Sequence, residues 1–173
     1  MERGRISYEQ MLRLQERLAA APSGLFKAVV MHHPIMPLDR APGLGIVGRA
    51  EKALEIMERA GVGLVMAGHG HDDYVGKSTA RYGSAVASIL VAHAGTALSN
   101  RTRGARNGFN TVDIYGSTVE LVPYEWEGSV TNFVVQQRVV YKGLGLTPVR
   151  AQDQEAPPLR QGRTFTCVTP EDS

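Results

Sequence analysis

The sequence predicts a mixed α/β (α+β) fold, and three observations carry the prediction. Residues 7–67 read helix, apolar run, helix, apolar run. Four of the chain's five histidines directly follow those two apolar runs, as His32-His33 and as His69 and His71. Beyond His71 the chain falls into further strand-like runs, two of them joined by Gly116-Ser117.

Each element has a local reason. Ser7 with Gln10 three residues on has the spacing of a capping box and marks a helix start. Met11, Leu14 and Leu18 then recur at helical spacing, with Arg13, Glu16 and Arg17 between them, until Pro22-Ser23-Gly24 ends the helix. Residues 26–31 are compact and β-favouring, and a buried strand is expected there, with His32 opening the loop at its C-terminal end. The loop over 34–48 is long and rich in Pro and Gly, and long loops in compact domains are often functional. A second helix is predicted over 49–60, with Ala50, Ala53, Leu54 and Met57 as its apolar stripe and Gly61 as its stop. Residues 62–67 form the next buried strand and lead into Gly68-His69-Gly70-His71. Strand, helix, strand argues for a parallel pair joined by a right-handed crossover. Ligands of open α/β sheets gather at the carboxyl ends of strands, where both histidine segments fall.

After His71 the runs 88–91, 109–115, 119–126 and 130–141 read as strands, with a tight hairpin at Gly116-Ser117. An antiparallel half is expected there. From about residue 147 Pro, Gln and charged residues dominate, so residues 1–146 are expected to form the domain and 147–173 a polar, largely disordered tail.

Composition narrows the class. A chain of 173 residues with 43% hydrophobic content suits one soluble globular domain. A net charge of +2 and a pI near 8.8 make no demand for a nucleic-acid partner. Tyr115, Tyr124 and Trp126 alternate as residues of sheet packing do, rather than as a stacking platform for nucleic acid. The single cysteine, Cys167, excludes an internal disulfide and fits a reducing compartment. Met1 is followed by charge and an amphipathic helix rather than an apolar leader. The most apolar stretch, 84–98, is too short to span a bilayer and carries His93. The expected location is cytoplasmic, with no membrane partner.

The histidines carry the chemistry. His69 and His71 are two apart, with Gly68 and Gly70 allowing a tight turn on which both imidazoles converge. His32 joins them if the two strands are neighbours. Nitrogen ligands of this kind suit zinc, iron or manganese better than calcium or magnesium. Asp72 and Asp73 are either carboxylate ligands or solvated turn residues. Arg101, Arg103 and Arg106 cluster in a Gly- and Asn-bearing loop, as phosphate-binding guanidinium groups or as a solvated basic loop. His93 lies in an apolar strand of small residues and reads as a satisfied, partly buried histidine. Gly43, Gly45 and Gly48 lack the Lys-Ser/Thr ending of a phosphate loop.

Met31-His32-His33-Pro34 and Ala67-Gly68-His69-Gly70-His71 resemble the last two metal-binding motifs of the calcineurin-like metallophosphoesterases, with a similar intervening helix and strand. The stretch 94–110 resembles the region that follows in the subgroup containing cyclic-nucleotide phosphodiesterases, and the helix after Gly4-Arg5-Ile6-Ser7 resembles the one preceding the family's His-x-Pro motif. The resemblance extends over roughly residues 4–125. It implies a double β-sheet sandwich flanked by helices and a site for two divalent transition metals (Mn, Fe or Zn). It further implies His32 and His69 on one metal and His71 on the other, with His33 the second choice for the position of His32. Arg101 or Arg103 would touch substrate at the rim. The implied reaction is hydrolysis of a phosphomono- or phosphodiester by metal-activated water.

The family's Asp-x-His, Gly-Asp-x-x-Asp and Gly-Asn-His segments do not occur in this sequence, and none of its six aspartates stands in such a context. The chain is therefore expected to correspond to the C-terminal half of such a domain, lacking the N-terminal strands and the bridging carboxylate. On that expectation it is inactive and marginally stable alone, and its partners are a phosphate-ester small molecule and a missing N-terminal half or a second copy of itself. The alternative is a non-catalytic remnant or interaction module with at most weak metal binding.

Overall fold

Ser7 starts the first helix as its spacing predicts. Its hydroxyl accepts from the Gln10 N–H at 3.0 Å, and the Gln10 side-chain oxygen accepts from the Ser7 N–H at 2.8 Å. A computed structural model describes residues 4–38, 43, 45–71, 74–79, 89–100 and 106–145 of the chain. The elements in chain order are α1 (Tyr8–Ala20), β1 (Lys27–Val30), α2 (Ala50–Arg59), β2 (Val62–Ala67), β3 (Tyr74–Lys77), β4 (Leu90–His93), β5 (Gly108–Tyr115), β6 (Thr118–Glu127), β7 (Asn132–Val135) and β8 (Val139–Tyr141). The expected tail lies outside the described residues.

The fold is mixed α+β, with two sheets. The first has the order β1-β2-β4-β3, and the second has β5-β6-β7 with β8 also on β6. β1 and β4 both run parallel to β2, and β3 closes the sheet antiparallel to β4. Two cores show how the layers stack. Leu18, Ile35, Val47, Ala53, Leu54, Met57, Val65 and Val91 join the helices to one face of the first sheet. Leu64, Leu90, Ala92, Val119, Leu121 and Leu144 join its other face to the second sheet. Successive residues of a strand point to opposite faces. Thus Leu64 and Val65 in β2, like Leu90 and Val91 in β4, serve different cores. This accounts for the uninterrupted apolar character of both strands.

The two helices are also tied to each other. Arg49, the residue before α2, adopts φ 66°; its guanidinium donates to the Ile6 carbonyl at 2.6 Å and lies 4.0 Å from the Tyr8 ring centroid. This places the cation over an aromatic face at the start of α1.

Four expectations are corrected. β1 is not buried: it is an edge strand with alternating exposure, and Val30 is 74% exposed. β3, with its central glycine, gave no strand signal of its own; pairing with β4 makes it a strand. β4 pairs antiparallel with β3 as expected beyond His71, but it also runs parallel to β2 in the first sheet, so the wholly antiparallel sheet begins only at β5. Residues 130–141 form two strands rather than one. β6 pairs with β8 at Val119, Glu120 and Leu121, and with β7 from Tyr124 onward. The break falls at Pro123, whose carbonyl accepts from Gln136 on that side and whose ring nitrogen has no proton to continue the ladder.

His93 is the anomaly of the core. It ends β4, opposite Ala67 on one side and Tyr74 on the other, and is wholly buried. Among the described residues neither ring nitrogen has a hydrogen-bond partner. The sequence suggested a satisfied, partly buried imidazole; the structure gives one held neutral, because burial lowers its pKa from 6.5 to about 4.

Two predictions follow from this packing. Leu54, fully buried between α2 and the sheet, becomes a cavity on Leu54→Ala, at a cost of about 2–5 kcal/mol; Leu12→Ala, on the exposed side of α1, stays within about 0.5 kcal/mol. Urea denaturation of the two variants measures the contrast. His93 makes stability fall with acidification. Below pH 6.5 the unfolded chain takes a proton that the folded chain refuses until about pH 4, so stability is greatest above the upper value and is lost as pH falls toward the lower. The slope from this one group approaches about 1.4 kcal/mol per pH unit. In His93→Phe the urea midpoint should flatten across this range; an unchanged slope would place the titration elsewhere.

Candidate metal centre

The two histidine segments meet because β1 and β2 are hydrogen-bonded neighbours, in register at Val30↔Met66. The pairing continues past the strand ends. The Met31 N–H donates to the Met66 carbonyl at 2.9 Å, and the Gly68 N–H donates to the His32 carbonyl at 3.1 Å. His32 and His69 therefore leave the sheet at the same level.

Three imidazoles converge at that point. His32 Nε2 and His69 Nδ1 share a hydrogen bond at 2.9 Å. His33 completes the group: one ring nitrogen from each of His32, His33 and His69 lies within 4.8 Å of the others. Ring centroids are 4.7 to 4.9 Å apart in tilted or edge-on pairs. Gly4 backs onto this cluster, and a Cβ there would overlap the His33 ring. The start of the chain thus supports a histidine from a distant loop.

The backbone around His69 is strained. Its φ is 65°, and the Gly70 N–H donates to the Gly68 carbonyl at 2.7 Å across it, closing a three-residue turn. His71 also has a left-handed φ, 52°. Left-handed backbone costs a residue with a Cβ about 1–2 kcal/mol, and such outliers concentrate at ligand sites. The glycines were expected to supply the tight turn; among the described residues of this segment, the positive angles fall on the histidines instead.

His32, His69 and His71 line one hollow of about 440 Å³, together with the segment from Ala94 to Ser99. His71 is not one of the compact three. Its Nδ1 shares a hydrogen bond with the Thr96 hydroxyl at 2.6 Å, which leaves Nε2 as its ligand atom. Metal-binding histidines are commonly oriented this way through their other nitrogen.

The donor set fits one ion. Three imidazoles suit a borderline transition metal, and the proton shared by His32 and His69 is the one an ion would displace. Tetrahedral nitrogens around zinc stand about 3.3 Å apart, for Zn–N distances of about 2.0–2.1 Å; the His32–His69 pair is already closer than that, at 2.9 Å, and the three nitrogens lie within 4.8 Å of one another. Among the described residues the group contains no carboxylate, and a bridged pair of ions is not supported by what is present. Asp72, Asp73, Arg101 and Arg103 lie outside the described residues. Arg106 is described and pairs with Glu127. Sequence reasoning ranked His33 second and did not single out Thr96 or Gly4. Only the adjacency of His33 to His32 pointed to it; the other two depend on contacts across 25 residues or more.

No family model matches the chain, and no curated protein matches it. Solved structures do. Vps29 from Entamoeba histolytica is 18% identical over 53% of this chain and 47% of its own, with a TM-score of 0.37. Vacuolar protein sorting 29 from Cryptosporidium parvum is 22% identical over 71% and 55%, with a TM-score of 0.46. Vps29 from Chaetomium thermophilum, complexed with a cyclic peptide, is 12% identical over 70% and 60%, with a TM-score of 0.45. The chain spans about half the length of the solved structures it matches first.

Proposed function

We propose that this chain provides the histidine half of a metal-dependent phosphoesterase centre. It holds one divalent transition metal through His32, His69 and His33, with His71 at the edge of the same hollow. The observation that carries this reading is three imidazole nitrogens within 4.8 Å at the carboxyl ends of two parallel strands. The motif resemblance supplies the reaction class, hydrolysis of a phosphate ester, and a bound metal would supply activation of water and charge stabilisation. The chain's own residues position the donors: the β1–β2 ladder sets their level, Gly4 makes room for His33, and Thr96 orients His71. Turnover on this reading requires carboxylates beyond the described residues.

The alternative, a non-catalytic interaction module, is favoured by a different observation. β1 is an edge strand with Val30 exposed, and an open edge is a pairing surface for another chain.

Zinc and manganese titrations of the whole chain, read by calorimetry, test the first reading. One ion per chain is expected. His69→Ala and His33→Ala should each weaken binding by at least about 10-fold, and His71→Ala by less. Gly4→Ala should weaken it in the same direction by displacing His33. Absence of binding at millimolar metal would remove the proposal. A larger loss in His71→Ala than in His33→Ala would restore the ligand set that the motifs imply. With bis(p-nitrophenyl) phosphate and manganese, the chain alone should show no turnover that His69→Ala abolishes.

A further inference from the structure

The hollow beside the histidines adjoins a second one. Leu98 and Ser99 line both, and the second, of about 570 Å³, is continued by Asn100, Arg106, Asn107 and Trp126. Such a volume suits a small-molecule group.

Its lining has a definite chemical character. Trp126 is the chain's only tryptophan. It stands near the end of β6, packs against Phe133 at 5.3 Å and 73° between ring planes, and remains 38% exposed. Its backbone N–H donates to the Asn107 carbonyl at 2.6 Å, fixing the strand to the loop that carries Asn107. Leu98, at the boundary between the two hollows, is 90% exposed. Among the described residues the second hollow holds one cation, and it is engaged: Arg106 is paired with Glu127, whose carboxyl is held below its usual range by the Ser129 N–H and by Arg106 itself. An anion gains little from a guanidinium already paired in this way. An indole face and an isobutyl group, bordered by two side-chain amides, instead suit an uncharged planar ring with polar atoms on its edge.

We propose that the hollow at Trp126 is a subsite for a planar aromatic group carried on the phosphate ester. The ring stacks on Trp126 beside Leu98, the Asn100 and Asn107 amides meet its polar edge, and the phosphate lies toward the histidines. The phosphate half of this assignment rests on the phosphoesterase reading; the ring half does not need a metal.

Because Trp126 is the only tryptophan, its fluorescence reports this subsite directly in the whole chain. Adenosine 5′-monophosphate should quench it saturably, and ribose 5-phosphate should not. Phenyl phosphate distinguishes the source of the ring. Quenching by both aromatic esters assigns the site to aryl groups in general, and quenching by the nucleotide alone assigns it to nucleobases read by the amides. Calorimetry should show Trp126→Leu weakening nucleotide binding roughly 10-fold, with Trp126→Phe retaining most of it. Adenosine, which has the ring and no phosphate, should still quench in His69→Ala. Ribose 5-phosphate binding as tightly as the nucleotide, or Trp126→Phe binding as weakly as Trp126→Leu, would overturn the subsite and leave the metal centre standing. Quenching by adenosine in a chain that binds no metal would leave the subsite standing and remove the phosphoesterase reading.

Discussion

The parallel pairing of β1 with β2 is the constraint on which the rest depends. Two short strands from either side of α2 are held in register, and the hydrogen bonds run on through Met31 and Gly68. A slip of one residue would turn every side chain of β1 to the other face and carry His32 away from His69. β2 is the better anchored partner, since it lies inside the sheet and is packed on both faces. β1 contributes only one paired edge and depends on β2 for its position.

That pairing delivers imidazoles rather than carboxylates as donors. Imidazoles can crowd to hydrogen-bonding distance while neutral, whereas a comparable cluster of carboxylates would repel itself until protonated or neutralised by metal. The local backbone reflects the same demand. His69 and His71 both take left-handed angles that a glycine would adopt at lower cost, and the adjoining packing has to hold them there. Thr96 binds one of these rings, and Gly4 leaves room for a third imidazole across the cluster. At the end of β4, opposite Ala67, lies His93, which burial keeps uncharged near neutral pH.

The second sheet has a different part in the molecule. Val119 and Leu121 of β6 seal the core against β2 and β4, while its far end places Trp126 beside the loop that also borders the histidines. The division follows from strand length: β6 has ten residues, enough to reach from the core to the rim. Nitrogen donors gather in one hollow, and an aromatic surface with a neutralised ion pair lies in the next.

Much of the scaffold was legible in the sequence because it is local. The Ser7 capping box, the apolar stripe of α2, the unbroken apolar run of β2 and the turn at Gly116 each depend on neighbours a few residues away. The adjacency of His32 and His69 also followed, since strand–helix–strand predicts a parallel pair. Tertiary structure decided the remainder. Tyr74–Lys77 became a strand only against β4, β1 became an edge only through the order of the sheet, and Pro123 split the pairing of β6 through a missing proton on one side. It likewise made His33 a member of the cluster, gave His71 to Thr96 and, among the described residues, left His93 without a hydrogen-bond partner. The sequence by itself determined which residues are the candidate metal donors and which strands present them. Which imidazoles meet was decided by contacts between distant segments, because side-chain convergence depends on sheet order and loop path rather than on spacing along the chain.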